Sequence, residues 1–96
     1  MNTEAPDVHE LLERAKKLHK EKSFGQAENI LEDVIKTDPG CFEALNILGV
    51  IHYQSGNLQK AEEFFNRALR IEPRSTKTIL DLGVVLEDCD RFSEAL

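Results

Sequence analysis

Shifted along itself by 34 residues, the 96-residue chain meets itself: Leu11, Leu45 and Ile79 coincide, as do Ala15, Gly49 and Gly83, and Ala27, Ala61 and Ala95. A fixed period of this length implies repeated supersecondary units, each too small to bury its apolar face alone and therefore stacked on its neighbours. The clearest unit is the central one. The run from Ala44 to Tyr53 carries apolar and small residues at helical spacing, and Ala61, Phe65 and Ala68 continue that spacing before Pro73 stops it. One unit is thus a helix, a turn and a second helix.

Taken in order, the chain supplies start and stop signals for each helix. Asp7 followed by Glu10 has the form of a capping box and starts a first helix near Val8, whose stripe is Leu11, Ala15 and Leu18 and whose end lies near Lys22. Ser23 and Gln26 form a second such box, ahead of an apolar face of Ala27, Ile30, Leu31, Val34 and Ile35 that Asp38-Pro39-Gly40 terminates. A third helix spans Cys41 to Gln54. Ser55-Gly56-Asn57 breaks it, and Asn57 caps a fourth helix with Leu58, Ala61, Phe64, Phe65, Ala68, Leu69 and Ile71 inward and Glu72-Pro73 at its end. Ser75 or Thr76 caps a fifth with the stripe Ile79, Leu82, Gly83 and Leu86. Asp90-Arg91-Phe92 then reads as a turn into a sixth helix that has barely begun at Leu96. The helix-interior glycines Gly49 and Gly83 cost about 1 kcal/mol each relative to alanine. Their expected return is close helix approach, Gly49 against Ala61 and Gly83 against Ala95.

These residues resemble the tetratricopeptide repeat family. Leu45, Leu48, Gly49, Ala61, Phe65 and Pro73 stand at the motif positions, with Leu45 in place of the usual tryptophan and His52 in place of the usual tyrosine. The resemblance covers residues 8–96. It implies an all-α, right-handed α-solenoid of antiparallel helix-turn-helix repeats, divided into a tail (1–7), a first repeat (8–41), a second (42–75) and a third (76–96) truncated in its second helix. Such an unfinished end leads us to expect either a fragment of a longer array or a partner over the exposed stripe.

Composition excludes several function classes. A net charge of −6 and a pI near 5.0 argue against nucleic-acid or anionic-membrane partners, which call for clustered Lys and Arg. No run approaches the ~20 apolar residues of a membrane span. Met1–Asp7 is polar and acidic where a signal peptide is basic and then apolar, so a cytoplasmic location is the default expectation. Cys41 and Cys89 stand alone, without the spacing of a zinc site or a disulfide framework. His9, His19 and His52 form no metal motif, and His52 reads as a packed histidine. Acid pairs such as Glu62-Glu63 and Asp88 with Asp90 read as solvated charge. With no glycine-rich loop and no nucleophile beside an oriented base, we expect no enzyme, no catalytic residue, no metal and no cofactor.

The resemblance places a ligand in a concave groove lined by the first helix of each repeat, and helical geometry then gives the facing side chains. They are Leu12, Glu13, Lys16, His19 and Lys20 from the first repeat; Glu43, Asn46, Ile47, Val50, Tyr53 and Gln54 from the second; and Lys77, Leu80, Asp81, Val84, Glu87 and Asp88 from the third. Family members that grip acidic chaperone C-termini use a clamp of Lys, Arg and Asn. Here Lys16, Asn46 and Lys77 match it, but Leu12 and Asp81 replace the other polar groups. The asparagine ladder of sugar-transferase repeats is also missing, its column being Glu13, Ile47 and Asp81. What remains is an apolar patch of Ile47, Val50, Tyr53, Leu80 and Val84 between a basic cluster (Lys16, Lys17, Lys20) and an acidic end (Asp81, Glu87, Asp88).

The function expected on these grounds is a protein-interaction scaffold that binds a peptide or partner helix in the groove. Two alternatives stand beside it: the N-terminal recruitment module of a longer transferase, and an array that self-associates through its unfinished C-terminal repeat.

Overall fold

The computed structural model of the protein describes residues 7–95, with side chains through residue 91. Among these residues it forms five helices: α1 (Val8–Lys20), α2 (Phe24–Thr37), α3 (Phe42–Gln54), α4 (Leu58–Ile71) and α5 (Thr76–Ala95). Each packs on its sequence neighbour, and α3 also touches α1 on one side and α5 on the other. The result is an all-α solenoid in which the first helices of successive repeats form an inner layer. Expectations for residues 1–6, for Leu96, and for the side chains of Phe92 and Ala95, including the pairing of Gly83 with Ala95, lie outside the described residues.

The helix ends follow the sequence signals with two exceptions. Asp7 caps α1 by accepting a 2.8 Å hydrogen bond from the His9 backbone N–H, and Asn57 caps α4 by accepting from Lys60 at 3.4 Å. Ser75 accepts from the Thr78 N–H at 3.3 Å. Ser23, by contrast, makes no side-chain cap bond. It sits at the end of a turn already closed by backbone: Ser23 N–H donates to Leu18 C=O at 2.8 Å and Lys22 N–H to His19 C=O at 3.0 Å. The same pair of bonds recurs 34 residues on, from Asn57 to His52 and from Gly56 to Tyr53. Both turns pass through a left-handed residue, Gly56 at φ 85° and Lys22 at φ 64°, which is the geometry of a helix C-terminus wrapped on itself.

The second exception is the expected turn at Asp90-Arg91-Phe92. It does not form, and α5 runs on to Ala95. Asp90 occupies the position of Lys22 and Gly56, so a turn there needs a non-glycine residue in the left-handed region, which costs about 1–2 kcal/mol. Arg91 instead reaches back to Glu87 (3.4 Å) and Asp88 (3.6 Å) within the helix, and pairs at that spacing favour continuation.

The core is built mainly from α1 to α4. Ala15, Ala27, Leu31, Val34, Ala44, Leu48, Ala61 and Ala68 are fully buried, with Leu45, Ile51 and Phe65 at 1% exposure. His52 is buried too. Its ring stacks on Phe64 (centroids 5.4 Å, planes 3° apart), and Arg67 lies 5.4 Å from the centroid of that same phenylalanine ring. Its Nε2 has no hydrogen-bond partner and sits 3.4 Å from a Glu28 carboxylate oxygen.

Gly49 permits a close approach, and the atoms nearest to it are those of the Phe65 ring, a neighbour that the expected pairing with Ala61 did not name. A Cβ added at Gly49 would lie 2.5 Å from Phe65 Cε1 and 2.9 Å from Cζ. The ring is buried and cannot give way. Two further expectations are corrected at the C-terminal side. Ile71 is 44% exposed, and Ile79 and Leu86 are not core residues but 48% and 43% exposed. α5 packs instead through Thr78 and Val85, both buried, with Leu82 and Cys89 half-buried beside them. Thr78 and Val85 stand 34 residues beyond the buried Ala44 and Ile51, so the repeat register did mark them.

Gly49→Leu should lower unfolding stability by about 1–3 kcal/mol through overpacking, while Gly83→Leu, where an added Cβ meets nothing within 4 Å, should leave it undiminished. Equal urea midpoints for the two variants would contradict the Gly49–Phe65 packing. Lys22→Gly should raise stability by about 1 kcal/mol by relieving the left-handed lysine, read from the same unfolding curves.

Candidate functional site

The layer formed by α1, α3 and α5 carries two depressions on one side. One depression of about 330 Å³ is lined by Lys16 and His19 from α1, Phe42, Glu43, Asn46, Ile47 and Val50 from α3, and Lys77 from α5. A second, of about 190 Å³, is lined by Val50, Tyr53, Gln54, Lys77, Asp81 and Val84, with the Phe65 ring of α4 as its floor. Val50 and Lys77 belong to both, so the two depressions adjoin. Phe65 reaches this surface because Gly49 has no side chain to separate it from that side.

Not every residue read from the sequence arrives here. Leu12 is buried at 5% exposure in the core and offers no surface to a ligand. Glu13, Lys20, Leu80, Glu87 and Asp88 line neither depression, Leu80 being 64% exposed. Phe42 and Phe65 were not among the residues expected. Phe42 lies four residues before Asn46, one helical turn along the same face, so its spacing was available in the sequence. For Phe65, on the second helix of its repeat, no local pattern indicated a role in the groove.

Hydrogen bonds cross the groove wall at repeat-equivalent positions. His19 Nε2 lies 2.8 Å from Gln54 Oε1, joining α1 to α3, and the Tyr53 hydroxyl donates to Asp88 at 2.8 Å, joining α3 to α5. Since Tyr53 follows His19 by one period and Asp88 follows Gln54 by one period, these are the same rung made twice with different chemistry. A third link is internal to the wall. The Thr78 N–H donates to Ser75 Oγ, the Ser75 hydroxyl donates to Thr78 Oγ1 at 2.9 Å, and the Thr78 hydroxyl donates to Asn46 Oδ1 at 2.9 Å. With its oxygen engaged, Asn46 has its amide N–H groups left to offer a ligand.

The charges on the rim are largely paired. Lys16 donates to Glu43 (3.2 Å) and Glu13 (3.4 Å), and its ammonium pKa is raised above the ordinary lysine value, chiefly by the Glu43 hydrogen bond and charge, with burial opposing and Glu13 adding the rest. Lys77 donates to Asp81 at 2.9 Å. The Tyr53 phenol is likewise raised above its usual value near 10.0. The chief cause is the hydrogen bond to Asp88, with burial and the Asp88 charge adding and Arg91 opposing. Losing that proton would leave two anions in contact. Among the described residues, no group of three or more His, Cys, Asp or Glu side chains converges as a metal site, and no helix is long and apolar enough to cross a membrane.

The tetratricopeptide repeat model matches residues 12–76. The chain belongs to the tetratricopeptide repeat family. Similar proteins include a TPR repeat-containing protein of Methanocaldococcus jannaschii (38% identical over 50 residues, 52% of this chain and 9% of that protein). A protein CTR9 homolog of Arabidopsis thaliana is 29% identical over 83 residues, 84% of this chain and 8% of its own length. A protein O-mannosyl-transferase of Mus musculus is 32% identical over 57 residues, 59% and 6% of the two chains. The chain thus spans less than a tenth of each of these relatives. Tetratricopeptide repeats are a non-catalytic scaffold that generally mediates contact between proteins.

This chain has one tyrosine and no tryptophan, so its ultraviolet titration reports Tyr53 alone. Its midpoint should lie above the usual tyrosine value, and Asp88→Ala should bring it down toward 10.0. Because the folded-state pKa is raised, the contribution of this bond to stability is complete below the unfolded-state value and is lost as pH climbs through the folded one. A midpoint insensitive to Asp88→Ala would show that the α3–α5 rung is not formed in solution.

Proposed function

We propose that the protein is an interaction module that holds an extended peptide, or one face of a partner helix, in the groove formed by α1, α3 and α5. The observation that carries this reading is the pair of adjoining depressions with an apolar floor of Ile47, Val50, Val84 and Phe65 and a polar rim. Apolar anchors set into pockets, with a few oriented hydrogen-bond donors around them, are what peptide recognition of this mode requires. The ligand groove proposed comprises Lys16, His19, Phe42, Asn46, Ile47, Val50, Tyr53, Gln54, Phe65, Lys77, Asp81 and Val84, with Glu13 and Asp88 outside the depressions as partners of Lys16 and Tyr53.

The rim argues for a particular ligand chemistry. Lys16 and Lys77 each have a carboxylate partner, so an acidic ligand would compete with Glu43, Glu13 and Asp81 for their ammonium groups. A segment with aliphatic side chains, whose backbone carbonyl accepts from Asn46, meets no such competition. A second reading, recruitment within a longer transferase, draws support from the similarity to the mouse O-mannosyl-transferase. A catalytic domain encoded in the same reading frame would establish it.

Selection of a displayed random peptide library on the chain should enrich sequences with aliphatic anchors. Val84→Glu, at a side chain 44% exposed, and Ile47→Ala should each weaken capture of a selected peptide by roughly tenfold or more, with the far-UV spectrum unchanged. Gly83→Leu, on another face of α5, should retain it. Peptides that bind all four chains equally would refute the groove.

A further inference from the structure

His52 is buried in the second repeat at 6% exposure, and its Nε2 has no hydrogen-bond partner. That nitrogen lies 3.4 Å from Oε2 of Glu28, whose side chain is 31% exposed and keeps contact with water. α2 ends the first repeat and α3 opens the second, so the contact spans the joint between them. Leu18 and Leu86 hold the positions one period before and after His52, and Glu62 stands one period after Glu28. The carboxylate recurs along the chain and the imidazole does not. The side-chain hydrogen bonds that join α3 to α5, Tyr53 to Asp88 and Thr78 to Asn46, contain no histidine.

A buried ring nitrogen beside a carboxylate, with no hydrogen bond between them, is unfavourable while the ring is neutral, because neither group satisfies the other. With a second proton the ring is a cation. The same separation is then that of an ion pair, half-buried and little screened by salt. The other charged groups near this stretch of α3 are engaged elsewhere or act against the pair. From α4, Arg67 lies 5.4 Å from the centroid of the Phe64 ring on which His52 stacks, and its charge opposes that of a protonated imidazole. From α5, Asp88 accepts from Tyr53 and pairs with Arg91. From α1, Lys16 is paired with Glu13 and Glu43, and His19 lies against the Gln54 amide. Among the described residues, Glu28 is the carboxylate within ion-pair distance of His52.

We propose that His52 and Glu28 form a proton-operated clasp between the first and second repeats, open when the imidazole is neutral and closed when it is charged. Acidification through the histidine range therefore tightens the joint between α2 and α3. The clasp acts whether or not a ligand fills the groove.

The test is a cycle of Glu28→Gln, His52→Gln and the double variant of the full chain, unfolded in urea at about pH 5.5 and about pH 8, on either side of the histidine range. His9 and His19 are common to all four chains and cancel. The fall in urea midpoint caused by Glu28→Gln should be at least about twofold larger at the acid pH, and in the His52→Gln background it should be the same at both. Should His52→Gln not fold, His52→Tyr replaces it in the cycle, tyrosine being the usual residue at this position and uncharged over that range. Equal losses from Glu28→Gln at the two pH values, or a larger one at pH 8, would overturn the proposal. So would a pH-dependent loss that persists without His52, because Glu28 would then act through another group such as Arg67.

Discussion

The contact between Gly49 and the Phe65 ring is the constraint on which most of the structure depends. A ring atom 2.5 Å from where a Cβ would stand is possible only with no side chain on α3 at that point, and it brings α3 and α4 together more closely than any side-chain layer would allow. The approach does two things at once. It buries Phe65 to 1% exposure, a burial worth about 1.5–3 kcal/mol, enough to offset the cost of glycine within a helix. It also carries the ring through to the groove side, where it becomes the floor of the second depression. Core packing and groove shape are therefore set by one residue, and a change there would reach both.

The helices were legible because their ends are written in residues with few alternatives: Pro39-Gly40, Gly56-Asn57 and Pro73 stop or start helices whatever the tertiary context. The register was legible because the period repeats. Periodicity shows which residues share a stripe but not which neighbour covers it, and α5 is where that limit tells. It has one stripe through Thr78, Leu82, Val85 and Cys89 and another through Ile79, Gly83 and Leu86. The second is the more apolar by composition, yet the first is packed. The missing turn at Asp90 has a related cause. Lys22 shows that a non-glycine residue can hold the left-handed position when a second helix packs behind it, and no such helix follows among the described residues. Ser23 and Asn57 follow turns closed by the same pair of backbone bonds, yet only Asn57 adds a side-chain cap, and nothing in the structure explains the difference.

The candidate groove shows a limit of the same kind. Counting along α1 puts Leu12 in the column of Asn46, but Leu12 packs into the core cluster with Ala15, Ala27 and Leu31 and is 5% exposed. Equivalent positions in a repeat thus meet different neighbours. The rungs show the opposite case. His19 with Gln54 and Tyr53 with Asp88 share no residue type, so sequence comparison sees no repetition, yet the backbone brings both pairs within 2.8 Å. Geometry repeats where chemistry does not.

That distinction bears on what the groove can recognise. The two lysines that would attract an acidic ligand belong to ion pairs, and for exposed pairs such as Lys16–Glu43 the Coulomb gain is small, so displacing them is cheap but adds little. Asn46 differs. Its amide is tied to the buried Thr78 hydroxyl, itself tied to Ser75 at the head of α5, so part of its hydrogen-bonding capacity is held in place before any ligand arrives, which lowers the entropy lost on binding. On the proposed reading, selectivity would rest on the apolar floor and this amide, with the charged rim governing the rate and direction of approach more than the strength of the complex.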